Sequence, residues 1–345
     1  MPSNKSLKLY YDFLISLRDT DCKSIIITAG NHDAPSTLEA PKGILNALNI
    51  YVVGKADSNP NKIMFYIKES NIVVVAVPFL RDRDIREAIK DESFDDINQR
   101  YKNALISYYN KLAIECEKTD NNNFFIAMGH LFTTNTTVSD SENSIYIGGL
   151  GDISADDFPK IFDYIALGHL HKAQKVGGKE YIRYSGSPIP LSFNEAKRDA
   201  KVILLEVQNS IKSIKEIVVP KFRDIISIKT NLSSIKDRLN SIKTSSNLTT
   251  WIEIILEDNS INFTLNENIN SMIRDLDLNL EVLRVSNVSN EFNYMKNIDK
   301  NINLSSLTPE DIFKKKCEEE GFDLEENIEI KDIFYEILSS IREEE

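Results

Sequence analysis

Four histidines are the whole complement of the 345-residue chain, and they stand in three short motifs of one shape. Each motif follows an apolar run and opens on a glycine: Gly30-Asn31-His32-Asp33, Gly129-His130, and Gly168-His169-Leu170-His171. Neutral imidazole nitrogens bind Mn, Fe or Zn, and an amide oxygen such as that of Asn31 can complete an octahedral shell. In His169-x-His171, alternation along an extended segment would point both rings to one side, toward one metal or two adjacent ones. The glycines before His130 and His169 let the backbone turn tightly beside the ions. Two metals about 3.5–4 Å apart can activate a water and clamp the oxygens of an in-line phosphoryl displacement. Taken singly, each motif is an ordinary strand-end turn. Three in this order, using every histidine, point to a metal site.

The elements that must position these residues are legible as apolar runs. Residues 24–33, 71–79, 124–130 and 164–171 read as buried strands, three of them ending at a motif, and 179–188 and 200–207 add two further strands. In an open α/β sheet, the carboxyl ends of strands converge on one crevice, so scattered ligands meet there. Residues 5–18 and 97–117 carry apolar side chains at helical spacing. Composition shifts near residue 210 to Asn, Ser, Ile and Lys. Strands at 225–230, 251–257 and 280–286, with helices fitting at 232–243 and 265–276, predict a small separate α/β domain. After an Asn-rich stretch, Thr308-Pro309-Glu310-Asp311 offers an N-cap, a first-turn proline and first-turn acids, opening two helices split at Gly321. The predicted domains are therefore 1–208, 209–300 and a linker with C-terminal helices at 301–345.

Bulk composition sets limits. The net charge of −12 argues at first against nucleic acid. Residues 308–345, however, hold 14 acidic and 5 basic side chains, so most of the excess sits in one tail. No apolar run approaches the roughly 20 residues needed to span a bilayer, and the first residues lack a signal-peptide core, so no membrane role and a cytoplasmic location are expected. The three cysteines, Cys22, Cys116 and Cys317, are far apart and form no CxxC; they read as reduced thiols rather than staples or zinc ligands.

The order GNHD, GH, GHLH resembles the calcineurin-like metallophosphoesterase family. PFLRDRD (78–84), IYIGGL (145–150), DYIALGHLHKAQ (163–174) and RYSGSPIPLSF (183–193) narrow the resemblance to the nuclease subunits of bacterial DNA-processing complexes. The resemblance implies a metallophosphoesterase-type β-sandwich flanked by helices, with a small α/β capping domain and C-terminal helices. It implies that Asn31, His130 and His169 bind a second metal and His171 a first, with Mn as the ion. His32 would face the scissile phosphate and Asp33 would orient it. Tyr184, Ser185, Gly186 and Ser187 would wall the site and place the DNA backbone. The implied activity is phosphodiester hydrolysis by two-metal catalysis, as 3′→5′ exonuclease and hairpin or single-strand endonuclease, in DNA recombination, repair and replication. The implied partners are DNA and a coiled-coil ATPase, which uses ATP and receives the C-terminal helices, with a homodimer inside a heterotetramer.

One departure limits this. The family's D-x-H and G-D-x-x-D motifs, which supply the rest of the first metal's shell and the bridging Asp, have no match here: the residues two before each histidine are Gly30, Met128, Leu167 and His169, and Gly151-Asp152 lacks the later Asp at the right place. The chain is expected to begin just after the bridging Asp, to hold at most one well-formed metal site and to have little activity alone. Two rivals follow: a non-catalytic scaffold subunit of the same complex, and a phosphoesterase acting on small substrates.

Overall fold

The computed structural model describes residues 2–67, 70–85, 94–120, 122–134, 136–137, 153–208, 210–244, 246–257, 265–276 and 278–287, together with Phe313, Cys317 and Phe334. The fold is mixed α/β. Helix α1 (Asn4–Ser16) is capped by Ser3, whose hydroxyl accepts from the Ser6 N–H. It leads into β1 (Ile25–Thr28), and two short helices, α2 (Pro35–Glu39) and α3 (Lys42–Asn46), return the chain to β2 (Ile50–Val53). β1 and β2 pair in parallel, with Ile25 opposite Ile50 and Thr28 opposite Val53.

The main sheet has six strands. They are β3 (Met64–Ile67), β4 (Ile72–Ala76), β5 (Phe124–His130), β6 (Tyr164–Gly168), β7 (Gln174–Val176) and β8 (Lys179–Tyr184), in the order β3-β4-β5-β6-β8-β7. β4, β5, β6 and β8 run parallel, and β3 and β7 close the edges antiparallel. Central parallel strands are covered on both faces, which is why β4 reads as an unbroken apolar run; Val73, Val75, Ala76 and Val77 are all buried. Pro78 then ends the strand, since it has no N–H to give a ladder. Between β4 and β5 come α4 (Asp82–Ile85) and the 24-residue α5 (Phe94–Glu117). Tyr101, Leu105, Tyr109, Leu112 and Cys116 recur at spacings of three and four, and all are buried in the main core. Each such burial contributes about 1.5–3 kcal/mol.

β9 (Lys201–Gln208) and β10 (Ser210–Val218) form an antiparallel hairpin. It crosses the boundary expected at residue 208. Arg183 on β8, buried, reaches Glu216 Oε1 of the hairpin at 2.8 Å, and Lys201 Nζ holds the other oxygen at 2.6 Å. A second core follows. β11 (Ile225–Thr230), β12 (Thr250–Leu256) and β13 (Leu280–Asn287) make a parallel sheet, linked through α6 (Ile235–Asn240) and α7 (Leu265–Asp275). Parallel neighbours need such crossovers. Ile235, Leu239, Ile252, Ile254, Leu256, Ile269 and Ile273 fill this core, separate from that of the main sheet. Strands and helices here lie where the apolar pattern predicts.

The docking helices expected at 301–345 lie outside the described residues, except that the Phe313 and Phe334 rings stack 3.9 Å apart and Cys317 is buried. IYIGGL (145–150) and Gly151-Asp152 also lie outside them. Among the described residues, no helix is long and apolar enough to cross a membrane.

Candidate metal centre

The GNHD loop is a turn closed from both ends. The Gly30 N–H donates to Asp33 Oδ2 at 2.7 Å, and the Asp33 N–H returns to the Gly30 carbonyl at 3.2 Å. The Phe79 N–H donates to the Ala29 carbonyl at 2.8 Å, tying this loop to the end of β4. One oxygen of the Asp33 carboxylate thus holds the loop. His32 and Asp33 border a cavity of about 610 Å³, together with Tyr10 and Tyr11 of α1.

β5 and β6 deliver the next two ligand candidates. Their register sets His130 opposite Gly168. A Cβ on Gly168 would stand 3.0 Å from His130 Nδ1, and one on Gly30 would stand 2.7 Å from His130 Cε1. Both glycines therefore clear the space that the His130 ring fills. A Cβ on Gly129 would stand 2.3 Å from the Tyr109 hydroxyl, which donates to the Met128 carbonyl at 3.2 Å. So α5 presses against the strand at the residue before His130.

After Gly168 the strand stops. His169 takes φ of 106°, a region that residues with a Cβ seldom adopt and that costs about 1–3 kcal/mol. This corrects the expected alternation: the segment is not extended, and the two imidazoles find different partners. His169 Nδ1 lies 3.1 Å from His130 Nε2, while His171 Nδ1 lies 2.9 Å from Glu195 Oε1. Asn31 Oδ1 lies 2.9 Å from the same His130 Nε2. Phe132 meets the His169 ring edge-on at 3.9 Å and Phe79 meets His130 at 6.0 Å, so the trio is walled by aromatic rings.

Burial holds the pKa of His130 down to about 3, helped by the neighbouring His169, His32 and His171. All four imidazoles are thus within electrostatic reach of one point, and His130 is neutral at physiological pH, the form that ligates metal.

The donor set fits a metal on geometry. Ligands about 2.1 Å from an ion, at right angles to one another, stand about 3.0 Å apart. The 2.9 and 3.1 Å separations of Asn31 Oδ1 and His169 Nδ1 from His130 Nε2 match adjacent corners of such a shell. The set is also partial. Among the described residues, no group of three or more His, Cys, Asp or Glu could hold one ion; the trio is completed only by an amide oxygen.

The segment after β8 divides in two. Tyr184 is fully buried, and its hydroxyl lies 2.7 Å from the Leu131 carbonyl and 3.2 Å from Thr133 Oγ1. It is a core strut that fixes the chain after His130. Ser185 and Ser187 do line a cavity, of about 250 Å³, with His171, Glu195 and Arg198. Gly186, at φ of 83°, is needed there: a Cβ would stand 2.7 Å from the His171 carbonyl. Glu195 is the residue that sequence reasoning missed. It lies 24 residues from His171 in a polar stretch, on a 3-10 turn, with no local pattern to mark it.

Residues 221–321 match the family model described as "Type 5 capsule protein repressor C-terminal domain" (SbcD_C). The chain is 30% identical over 344 residues to the SbcD subunit of the SbcCD nuclease of Escherichia coli (strain K12), covering 99% of this chain and 85% of that protein. It is 30% identical over 217 residues to the corresponding nuclease subunit of Rhodobacter capsulatus, covering 60% and 53%. The Bacillus subtilis (strain 168) counterpart is 27% identical over 208 residues, covering 58% and 51%. The mixed α/β fold is consistent with the metallophosphoesterase-like fold of these nuclease subunits. More narrowly, the chain belongs to the SbcD family of SbcCD nuclease subunits.

Proposed function

We propose that this chain is the nuclease subunit of a DNA-processing complex and carries one half of a dinuclear Mn site. The observation that carries the reading is the trio: Asn31 Oδ1 and His169 Nδ1 on either side of His130 Nε2, at 2.9 and 3.1 Å. These three hold the second ion, and His171 offers a donor to the first. When bound, the metals supply an activated water and offset charge on the phosphoryl oxygens during phosphodiester hydrolysis. The protein's own residues do the rest. Burial keeps His130 neutral, so its lone pair is available. His32, on the loop that Asp33 and Phe79 fix, faces the scissile phosphate and protonates the leaving oxygen. Ser185 and Ser187, bordering the His171 cavity, place the DNA backbone. The complex acts as 3′→5′ exonuclease and hairpin endonuclease in recombination, repair and replication. An SbcC-like coiled-coil ATPase uses the ATP and docks residues 308–341, in a heterotetramer built on a homodimer, and the small α/β domain caps the site.

Calorimetric titration with Mn²⁺ tests the half-site. One weak site is expected, and His130→Ala should weaken it by more than the roughly 10–100-fold typical of a supporting residue. Two tight sites in the unaltered chain would sink the idea. A second reading has one observation in its favour. With no third His, Cys, Asp or Glu joining the trio among the described residues, a scaffold that binds the ATPase without cutting is the rival. Hairpin DNA cleaved by the chain with its ATPase partner, and not by the His32→Ala chain, would eliminate the scaffold.

A further inference from the structure

We infer that Glu195 is the positioning residue for His171: its carboxylate fixes the proton on Nδ1 and leaves Nε2 as the metal-facing donor. This rests on the reading of His171 as a ligand. Glu195 is 6% exposed, and a buried carboxylate is costly unless its oxygens are hydrogen-bonded. Both are. Oε1 lies 2.9 Å from His171 Nδ1, and Oε2 accepts the Leu191 N–H at 2.9 Å. The Glu195 N–H in turn reaches Ser192 Oγ at 3.3 Å. With one oxygen committed to the backbone, the carboxylate cannot swing away from the ring.

An acceptor-only carboxylate requires a proton on the nitrogen it faces, so the neutral ring carries its lone pair on Nε2. The far side of His171 is clamped as well. The Ser187 N–H donates to the His171 carbonyl at 3.0 Å, with Gly186 leaving no room for a Cβ between them. Side chain and backbone are thus held by two arms of the same segment, residues 186–195. A carboxylate behind an imidazole also raises its basicity as a ligand.

Side-chain ¹H–¹⁵N NMR of the metal-free full chain reads the tautomer directly. His171 is expected as the Nδ1–H form in the unaltered chain, moving to Nε2–H in Glu195→Ala. An Nε2–H ring in the unaltered chain, or no change in Glu195→Ala, overturns the proposal. Should Glu195→Ala lose its amide dispersion, Glu195→Gln decides. One amide oxygen must serve two N–H donors there, so a mixture is expected and undiminished Nδ1–H overturns the role. A Zn²⁺ titration on the same spectra, as a diamagnetic probe, then reads coordination through the Nε2 shift. Glu195→Ala should raise the His171 midpoint about 10–100-fold and leave His130 and His169 unchanged. An unmoved His171 midpoint overturns the metal-facing part of the proposal. Zn²⁺ that shifts none of the three rings, with the tautomer result intact, counts against the dinuclear reading and not against Glu195's hold on the ring.

Discussion

The main sheet and the small sheet use the same architecture and carry different loads. Both contain parallel strands and both bury a continuous apolar core; β4 is joined to β5 through α4 and α5, as β11, β12 and β13 are joined through α6 and α7. In the main sheet β5 and β6 run out into Gly129-His130 and Gly168-His169, and β1 of the neighbouring two-stranded sheet leads into Gly30-Asn31-His32. Between Gly186 and Gly321 the chain has neither residue type, and β11, β12 and β13 end in Thr230, Leu256 and Asn287. A parallel sheet supplies converging ends, but convergence alone is not a site. The site arises where glycines open room for imidazoles, as Gly30 and Gly168 do around His130.

Four measurements test that contrast. Ile252→Ala empties the centre of the small core, where Ile252 is fully buried. A loss of about 2–5 kcal/mol in denaturant unfolding of that unit is expected, with Mn²⁺ binding at the trio unchanged. A fall in Mn²⁺ affinity would mean that the two units are coupled. Gly129→Ala acts on the main sheet, where the new Cβ meets the Tyr109 hydroxyl; overpacking should cost about 1–3 kcal/mol and disturb His130. Third, His130 has a folded-state pKa near 3, below the usual imidazole value. The unfolded chain therefore takes up a proton that the metal-free native state refuses, so this contribution is complete above about pH 6.5 and is lost as pH falls toward 3. The expected slope is about 1.4 kcal/mol per pH unit, absent in His130→Asn, and the small unit should show no counterpart. Last, Tyr184→Phe removes the hydroxyl facing the Leu131 carbonyl and Thr133, with an expected cost of about 0.5–1.5 kcal/mol. Normal stability with weakened DNA binding would put Tyr184 in the substrate wall.

Much of the fold was legible because buried parallel strands are apolar throughout. β4, β5 and β6 appear as such runs, whereas β11 through β13 were marked by aliphatic residues interleaved with polar ones. β10 was not legible: its Ile211, Ile214 and Ile217 recur every three residues, and a bulge between Ile211 and Ser213 shifts the register and breaks the alternation that marks a strand. β7 exists only by pairing with β8. At the site, the three Gly-led motifs marked Asn31, His130 and His169 as candidates in the sequence, and their grouping came from the family resemblance. The left-handed turn at His169 was not legible, because nothing in the local residue types calls for a positive φ there. Glu195 and the buried role of Tyr184 were hidden because both are set by neighbours distant in sequence.

The pairing of His130 with Gly168 also bears on how a chain of this kind can drift. Loops between the strands are free to lengthen or shorten, because both ends of each loop stay anchored. A single residue gained or lost inside β5 or β6 is a different event. In β5 it would turn His130 to the opposite face of the sheet, and in β6 it would set a side chain where Gly168 leaves space. Length variation among descendants should therefore pile up outside these two strands, and a homologue with an odd-numbered insertion within either one should have lost the close approach of His130 to Asn31 and His169.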